Sequence, residues 1–258
     1  MRQTQTLGLQ VTLTSRDVAL LHKLYIHNLL SFAQTERMVF TGRDHSTILN
    51  RLKRLELSGL ISRERIHRIR HPVFNQDIGV VFQITTRGLL ELQKYYPDVP
   101  LPEKPAYLHG RQIDHDLLVV EMAERARGEF SNHAYLSGVH VHEKLDIGSP
   151  RPDGVFVNQA TGKWVAIEVE LTMKSGDRYR EIVVQYRMQR QIEKVIYFVS
   201  STTIAKRIMS EVKGYNVKDM NEFSDKFFEV RLIERPSIAQ PEEKLLPLTP
   251  EHLAAVAS

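Results

Sequence analysis

The sequence contains no cysteine among its 258 residues. Disulfide bonds, zinc ribbons, iron–sulfur clusters and thiolate catalysis are therefore excluded, which leaves histidine and carboxylate side chains as the metal ligands. We expect any bound metal to be a hard cation, Mg²⁺ or Mn²⁺.

Long apolar runs are also missing. None reaches the about 20 residues that span a bilayer, and the polar start MRQTQT lacks the hydrophobic stretch of a secretory signal. Hydrophobic residues make up 42% of the chain and charged residues 26%, as is typical of a soluble globular protein. We therefore expect a cytoplasmic protein with no membrane segment, folded as one large domain or two small ones.

The net charge of +4 is unevenly distributed. Residues 1–96 carry 14 Lys and Arg against 7 Asp and Glu, a net +7, whereas the remainder carries 21 against 24, a net −3. Clustered basic charge attracts phosphate backbones irrespective of their sequence. The first third of the chain is therefore the part expected to meet a polyanion, although a solvated basic face is the alternative.

Proline marks the expected domain boundaries. The stretch YYPDVPLPEKP favours extended, unpaired backbone, and a second proline-spaced stretch begins at Arg235. We predict a DNA-binding domain over residues 1–96, a linker over 97–105, an α/β domain over 106–235 and a tail over 236–258.

The first domain has the element order of a winged helix-turn-helix. Three helical patterns are followed by the strand LISRERI, a basic loop, the strand VVFQIT and a helix from Thr86 to about Lys94. In such a fold the third helix enters the major groove and the wing reaches the backbone or minor groove, although a winged helix can instead mediate protein contacts. The predicted DNA-binding residues are Thr47, Asn50, Arg51, Lys53 and Arg54 of the third helix, and Arg65, Arg68 and Arg70 of the wing, which also holds His67 and His71.

The second domain reads as helix, three strands, helix, strand, helix, strand, which predicts a mixed sheet in an α+β protein. The predicted elements include the helix IDHDLLVVEMAERAR, the strand YLSGVHVHEKL and a helix from Asp177 to Gln191.

Three carboxylates stand out in this domain. Glu168 and Glu170 are two residues apart in a predicted strand, so their side chains share one face. Asp153 begins the preceding strand, and a hairpin would bring it near them. Three oxygen ligands without thiols suit Mg²⁺ or Mn²⁺, which can polarise a phosphate oxygen. The alternative is an edge strand whose carboxylates are solvated or paired with Arg178 and Lys194.

Asp153 after Pro152, with Glu168-Val169-Glu170 on the next strand, resembles the pattern of the PD-(D/E)XK nuclease-like fold. The family's usual lysine is replaced here by Glu170. Lys174, a few residues on, could take its place from the end of the strand, and an exposed surface lysine is the alternative. The catalytic set implied by the resemblance is therefore Asp153, Glu168, Glu170 and Lys174, with the three carboxylates holding the metal.

The whole chain resembles the replication-relaxation family, which includes the MOB-C type relaxases. The resemblance covers about residues 14 to 200 and rests on NRLKRLELSGLISR, FQITTRGLLEL, HDLLVVEMAE, RPDGVFV and AIEVELT in that order. It implies a protein that nicks DNA at an origin of transfer with a divalent metal, together with relaxosome accessory proteins and a coupling ATPase. The alternatives are a non-catalytic DNA-binding replication or copy-control protein, and an ordinary restriction or repair nuclease.

Other residues offer competing or supporting chemistry. His140-Val141-His142 matches the His-hydrophobe-His core of another relaxase class, in which histidines hold a metal and a tyrosine attacks the phosphate. Tyr179 and Tyr186 lie on one helical face and are possible nucleophiles, although core packing explains most such tyrosines. Further residues that could steer the DNA or flank the cleft are Arg178, Arg180, Arg187, Arg190, His115 and Glu121.

Overall fold

The computed structural model describes residues 11–70, 77–97, 101–107, 112–141, 145, 150–213 and 226–233. The chain forms two compact units, and the division between them falls after Gly110. The protein is α+β, with a small three-stranded antiparallel sheet and a mixed five-stranded sheet. Within the described residues, none of the helices combines the length and apolarity that crossing a bilayer requires.

The first unit contains four helices and three strands in its described part. They are α1 Ser15–His27, β1 Leu30–Ser31, α2 Phe32–Val39, α3 His45–Leu57, β2 Ile61–Arg70, β3 Asp77–Ile84 and α4 Thr86–Gln93. The strand order is β1-β3-β2. β1 was not expected, because two residues carry too little pattern to indicate a strand. The predicted basic loop is too long, because the backbone of β2 continues to Arg70 and β3 begins at Asp77.

Local sequence signals explain where these helices begin and end. Thr14 caps α1 and Asp17 completes a capping box, while Asp44 accepts the Thr47 backbone N–H at 2.9 Å and caps α3. Gly59 follows α3 with a φ of 68°, which favours glycine. The apolar stripes predicted for α1 and α3 are buried in the core of this unit, as Leu21, Leu24, Ile48, Leu52 and Leu55 show.

The predicted linker belongs with the first unit where it is described. The Leu101 N–H donates to Gln93 Oε1 at 3.2 Å, and Gln83 Nε2 donates to the Ala106 carbonyl at 3.5 Å. Polar side chains of α4 and β3 thus supply the hydrogen bonds that this proline-rich backbone does not make with itself.

The second unit is built on the mixed sheet, in the order β4-β5-β6-β7-β8. Strands β4, β5 and β6 are antiparallel, whereas β7 is parallel to β6 and β8 to β7. Its described elements are α5 Ile113–Ala126, the 3₁₀ turn Arg127–Phe130, β4 His133–Ser137, α6 Gly138–Val141, β5 Gly154–Asn158, β6 Trp164–Glu170, α7 Gly176–Met188, β7 Ile192–Val199, α8 Thr202–Lys213 and β8 Phe228–Leu232.

Helices α7 and α8 pack on one face of the sheet and form its main core. Tyr179, Val183 and Tyr186 of α7 meet Ala166 of β6 there. By alternation, Glu168 and Glu170 lie on the same face of β6 as Ala166. The two glutamates therefore lie at the end of the strand, on the face that packs against α7 and α8.

The strand predicted over YLSGVHVHEKL is wrong beyond Ser137, because β4 ends there and Gly138–Val141 form the short helix α6. The Gly138 N–H donates to the Asp153 carbonyl at 2.8 Å, and this contact brings the two backbone segments close together. A Cβ at residue 138 would lie 2.1 Å from the Pro152 carbonyl oxygen. A tertiary contact therefore ends the strand where the apolar alternation continues.

Candidate functional site

The candidate site lies at the carboxyl end of β6. Strand β5 begins at Gly154, opposite Ile167, and β6 continues for three residues beyond that pair. Asp153 Oδ2 accepts the Val169 N–H at 2.7 Å. The side chain of Asp153 therefore takes the place of a strand partner at this edge of β6.

His115 of α5 completes the same edge. Its Nε2 lies 3.1 Å from the Val169 carbonyl oxygen and 3.3 Å from Asp153 Oδ2, and its Nδ1 lies 3.5 Å from Asp116 Oδ1. Burial alone lowers the pKa of His115, but the hydrogen bonds to Asp116 and Asp153 outweigh it and raise the pKa to about 11. The ring is an imidazolium at neutral pH, and both of its nitrogens face acceptors.

Glu168 lies between the sheet and α7, where Tyr186 Oη donates a hydrogen bond to its Oε1. Burial raises the pKa of Glu168 to about 8, and the charge of Asp153 adds to the shift against the hydrogen bond from Tyr186. Burial therefore favours the protonated form of this carboxyl group.

Glu170 is buried and pairs with Lys174, whose Nζ donates to its Oε2. The Lys174 backbone N–H donates to Tyr179 Oη at 3.1 Å, and its ammonium lies 5.9 Å from the centre of the Tyr179 ring. Ser175 then caps α7. The loop between β6 and α7 thus places Lys174, the predicted lysine, beside Glu170.

The three carboxylates are tethered in the same way. The hydrogen bonds and ion pairs of the described residues involve one oxygen of each, namely Asp153 Oδ2, Glu168 Oε1 and Glu170 Oε2. Carboxylate oxygens are the donors that Mg²⁺ and Mn²⁺ prefer, so the type of donor fits the predicted cation. As placed, however, no three or more His, Asp and Glu side chains of the described residues are grouped to hold a metal ion.

The two candidate nucleophilic tyrosines are core residues. Tyr179 is 1% exposed and Tyr186 0%. Burial raises the pKa of both phenols, and for Tyr186 the neighbouring Glu168 adds to the increase. Side chains buried to this extent are poorly placed to attack a phosphodiester, so water is the nucleophile in the function proposed below.

Most of the basic residues predicted near this site have other partners. Arg178 pairs with Glu181 at 3.1 Å, and Lys194 pairs with Glu229 at 2.5 Å. These two cations therefore do not pair with Asp153, Glu168 or Glu170. Arg180 pairs with Asp177 and Glu211, and the Arg187 guanidinium lies 5.4 Å from the centre of the Phe228 ring. Arg190 is exposed.

The histidine pair does not form the predicted strand arrangement. His140 lies in the short helix α6, and His142 is outside the described residues. His140 therefore lies outside the strand on which the predicted metal pair depends.

Glu121 of α5 lies 3.9 Å from Arg125 in an ion pair.

The predicted DNA-binding residues of α3 divide into two groups. Arg51 is engaged inside the unit, where Nε donates to Asp17 Oδ1 at 2.8 Å, Nη2 pairs with Asp17 Oδ2 and Nη2 donates to the Thr12 carbonyl at 3.0 Å. Thr47 is exposed, but its Oγ1 donates to the capping Asp44 at 2.5 Å. The remaining three, Asn50, Lys53 and Arg54, are exposed.

In the predicted wing, Arg65 is exposed in β2. Arg68 and Arg70 belong to β2 by their backbone, but the side chains of His67, Arg68 and Arg70 lie outside the described residues, as does all of His71.

Sequence reasoning missed Asp116 as a partner of His115, and Asp17 as the partner of Arg51. Asp116 stands next to His115 in the sequence, which is a detectable signal. Asp17 and Arg51 are 34 residues apart, and no local pattern links them.

Comparison with family models, with curated proteins and with solved structures finds no match to this chain.

Proposed function

We propose that this chain is a metal-dependent DNA-nicking endonuclease of the relaxase type, acting at an origin of transfer or a similar site. In this proposal the first unit is a winged helix that binds DNA, and the second is a PD-(D/E)XK-like domain that cuts one strand. The observation that carries the proposal is the assembly of Asp153, Glu168, Glu170 and Lys174 at one end of β6.

The order of elements supports the resemblance. Helix α5 precedes the antiparallel strands β4, β5 and β6, and α7 and the parallel strand β7 follow. Asp153 directly precedes β5 and Glu168 lies near the end of the neighbouring β6, which agrees with the PD-(D/E)XK pattern, whereas Glu170 departs from it. Lys174 comes from a different position than the family's lysine but reaches the same acidic group.

The carboxylates of Asp153, Glu168 and Glu170 would hold Mg²⁺ or Mn²⁺, which when bound polarises a phosphate oxygen and lowers the pKa of water. Tyr186 fixes one oxygen of Glu168, and the other oxygen would bind the cation. Lys174 supplies a positive charge beside the position where charge develops on the phosphate. Each of these groups is oriented by the chain itself, which reduces reorganisation during the reaction.

The DNA-binding part of the proposal rests on the exposed face of α3. Asn50 can pair with a base edge, and Lys53 and Arg54 can bind phosphate. Arg51 is removed from the predicted set because its guanidinium is held by Asp17. Arg65 adds positive charge on β2.

A second candidate is a non-catalytic DNA-binding replication or copy-control protein. Two of the three carboxylates already have a cationic partner in the chain, since His115 contacts Asp153 and Lys174 contacts Glu170. An acidic cluster neutralised in this way can persist for stability alone, without a metal or a reaction.

The deciding experiment is a nicking assay. DNA that the full-length chain selects from a random pool is cloned into a supercoiled plasmid, and conversion to open circles is followed with Mn²⁺, with Mg²⁺ and with EDTA. We expect metal-dependent nicking by the wild type and a loss of at least about 100-fold in Asp153→Asn, with DNA affinity kept within a few-fold.

Asp177→Asn is the matched control, since Asp177 is an exposed carboxylate of α7 that pairs with Arg180. Tight binding of the selected DNA without nicking under any metal condition would favour the non-catalytic candidate. Cleavage of both strands would instead indicate an ordinary nuclease.

A further inference from the structure

The backbone of Val169 is held by side chains instead of by a strand. Its N–H donates to Asp153 Oδ2 at 2.7 Å, and its carbonyl oxygen lies 3.1 Å from His115 Nε2. Both groups lie on the edge of β6 that faces β5, past Gly154, where pairing with β5 has ended. A buried peptide group without such partners is costly, so these two side chains replace the missing strand.

Val169 stands between Glu168 and Glu170, so the position of its peptide groups determines where both glutamates point. His115 Nε2 contacts Asp153 Oδ2 at 3.3 Å as well. His115 Nε2 therefore contacts both the side chain of Asp153 and the backbone of Val169, between the two glutamates. Asp116, 3.5 Å from Nδ1, orients the ring from its other side.

We propose that His115 is a positioning residue, which holds Asp153 and the Val169 peptide in register so that the three carboxylates face one site. The inference rests on the proposed function for the identity of the ligand. It does not make His115 a metal ligand. Because Nε2 lies beside two acceptors, it carries a hydrogen and has no lone pair to offer a cation.

The test uses His115→Ala and His115→Gln in the full-length chain, since a glutamine amide can place an N–H near the position of Nε2. Mn²⁺ alone is titrated by calorimetry, and hydrogen exchange at the Val169 amide is measured without metal. We expect Ala to lower Mn²⁺ affinity by about 10- to 100-fold, as loss of an outer partner does at other metal sites. It should also speed exchange at Val169, and Gln should restore most of both.

The control is His133→Ala, a half-buried histidine at the start of β4 whose ring packs against Phe130. It should lower thermal stability without changing Mn²⁺ affinity or Val169 exchange. If His115→Ala behaves like this control, the positioning role is overturned.

The two readouts separate the inference from the proposed function. A wild type that binds no Mn²⁺ contradicts the metal site, but exchange at Val169 still decides the role of His115. Faster exchange in Ala with recovery in Gln supports that role, whereas unchanged exchange refutes it even if metal binds.

Discussion

Arg51 has a different role in the structure from the one that its position in the sequence suggests. Its charge and helical position place it on the proposed DNA-binding face, but its guanidinium forms two hydrogen bonds with Asp17. Asp17 is 1% exposed and Arg51 18% in their side chains. We therefore predict that Arg51→Ala mainly destabilises the first unit.

The magnitude follows from burial. Removing one partner of a fully buried pair costs about 3–5 kcal/mol, and an exposed pair contributes about 0–1 kcal/mol. Arg51 is partly exposed, and Asp17 keeps the Thr14 N–H at 2.6 Å. We expect a loss of about 2–3 kcal/mol, which corresponds to about 10 °C or more for a unit of this size.

The assay exploits the only tryptophan of the chain. Trp164 lies in β6 of the second unit, so its fluorescence follows that unit during urea unfolding. Hydrogen exchange of the α1 and α3 amides follows the first unit. Arg51→Ala should lower the free energy of opening of α1 and α3 and leave the fluorescence midpoint unchanged.

Arg54→Ala is the matched control, since it removes the same charge from an exposed position of the same helix. It should change stability by less than about 0.5 kcal/mol and weaken DNA binding. The reasoning is refuted if Arg51→Ala leaves exchange of α1 unchanged and lowers DNA affinity as much as Arg54→Ala does.

The same pair predicts a pH dependence. Burial alone raises the pKa of Asp17, but hydrogen bonds from Arg51 and Thr14 outweigh it and the net pKa is below its ordinary value. A depressed carboxyl pKa contributes stability that is present above about pH 4 and is lost as the pH falls through the folded pKa. In Arg51→Ala this acid-induced loss should be smaller, as urea unfolding at a series of pH values would measure.

Three further predictions concern the candidate site and the proposed DNA-binding face. Gly138→Ala should reduce Mn²⁺ affinity at least about 10-fold, because the new Cβ would lie 2.1 Å from the Pro152 carbonyl oxygen. Gly128→Ala is the control, since its new Cβ would meet nothing within 4 Å, and it should bind Mn²⁺ as the wild type does. Equal affinities of the two variants would contradict the prediction. Glu168→Gln should be more stable than the metal-free wild type above pH 8 and nearly equal to it below pH 4.5. The reason is that a folded pKa of about 8, against an ordinary value of 4.5, destabilises the wild-type fold by up to a few kcal/mol as the pH rises. A constant difference between the melting temperatures of the two proteins across this range would exclude the pKa shift. Lys53→Ala should reduce the slope of log affinity against log salt by about 1, and an unchanged slope in a filter-binding series would show that Lys53 contacts no phosphate.

Interactions between near neighbours in the sequence account for the positions of several helix ends and side-chain faces. Thr14 and Asp44 cap helices because the side-chain oxygen and the N–H groups it binds are within three residues. Gly59 ends α3 by adopting a positive φ. The alternation that placed Glu168 and Glu170 on one face follows from strand geometry alone, and Lys174 lies one short loop beyond it.

The partners of the polar side chains depend instead on how distant segments pack together. Arg51 has the same local pattern as Arg54, and the difference between them comes from Asp17 on another helix. Tyr186 and Tyr179 had a spacing compatible with catalysis, but packing of α7 against the sheet buried both. His115 contacts Val169 across 54 residues, because folding brings α5 to the edge of β6 where β5 has ended. Periodicity records which face of an element is apolar, whereas hydrogen bonds between distant segments depend on distances that exist only once the sheet and its helices have packed.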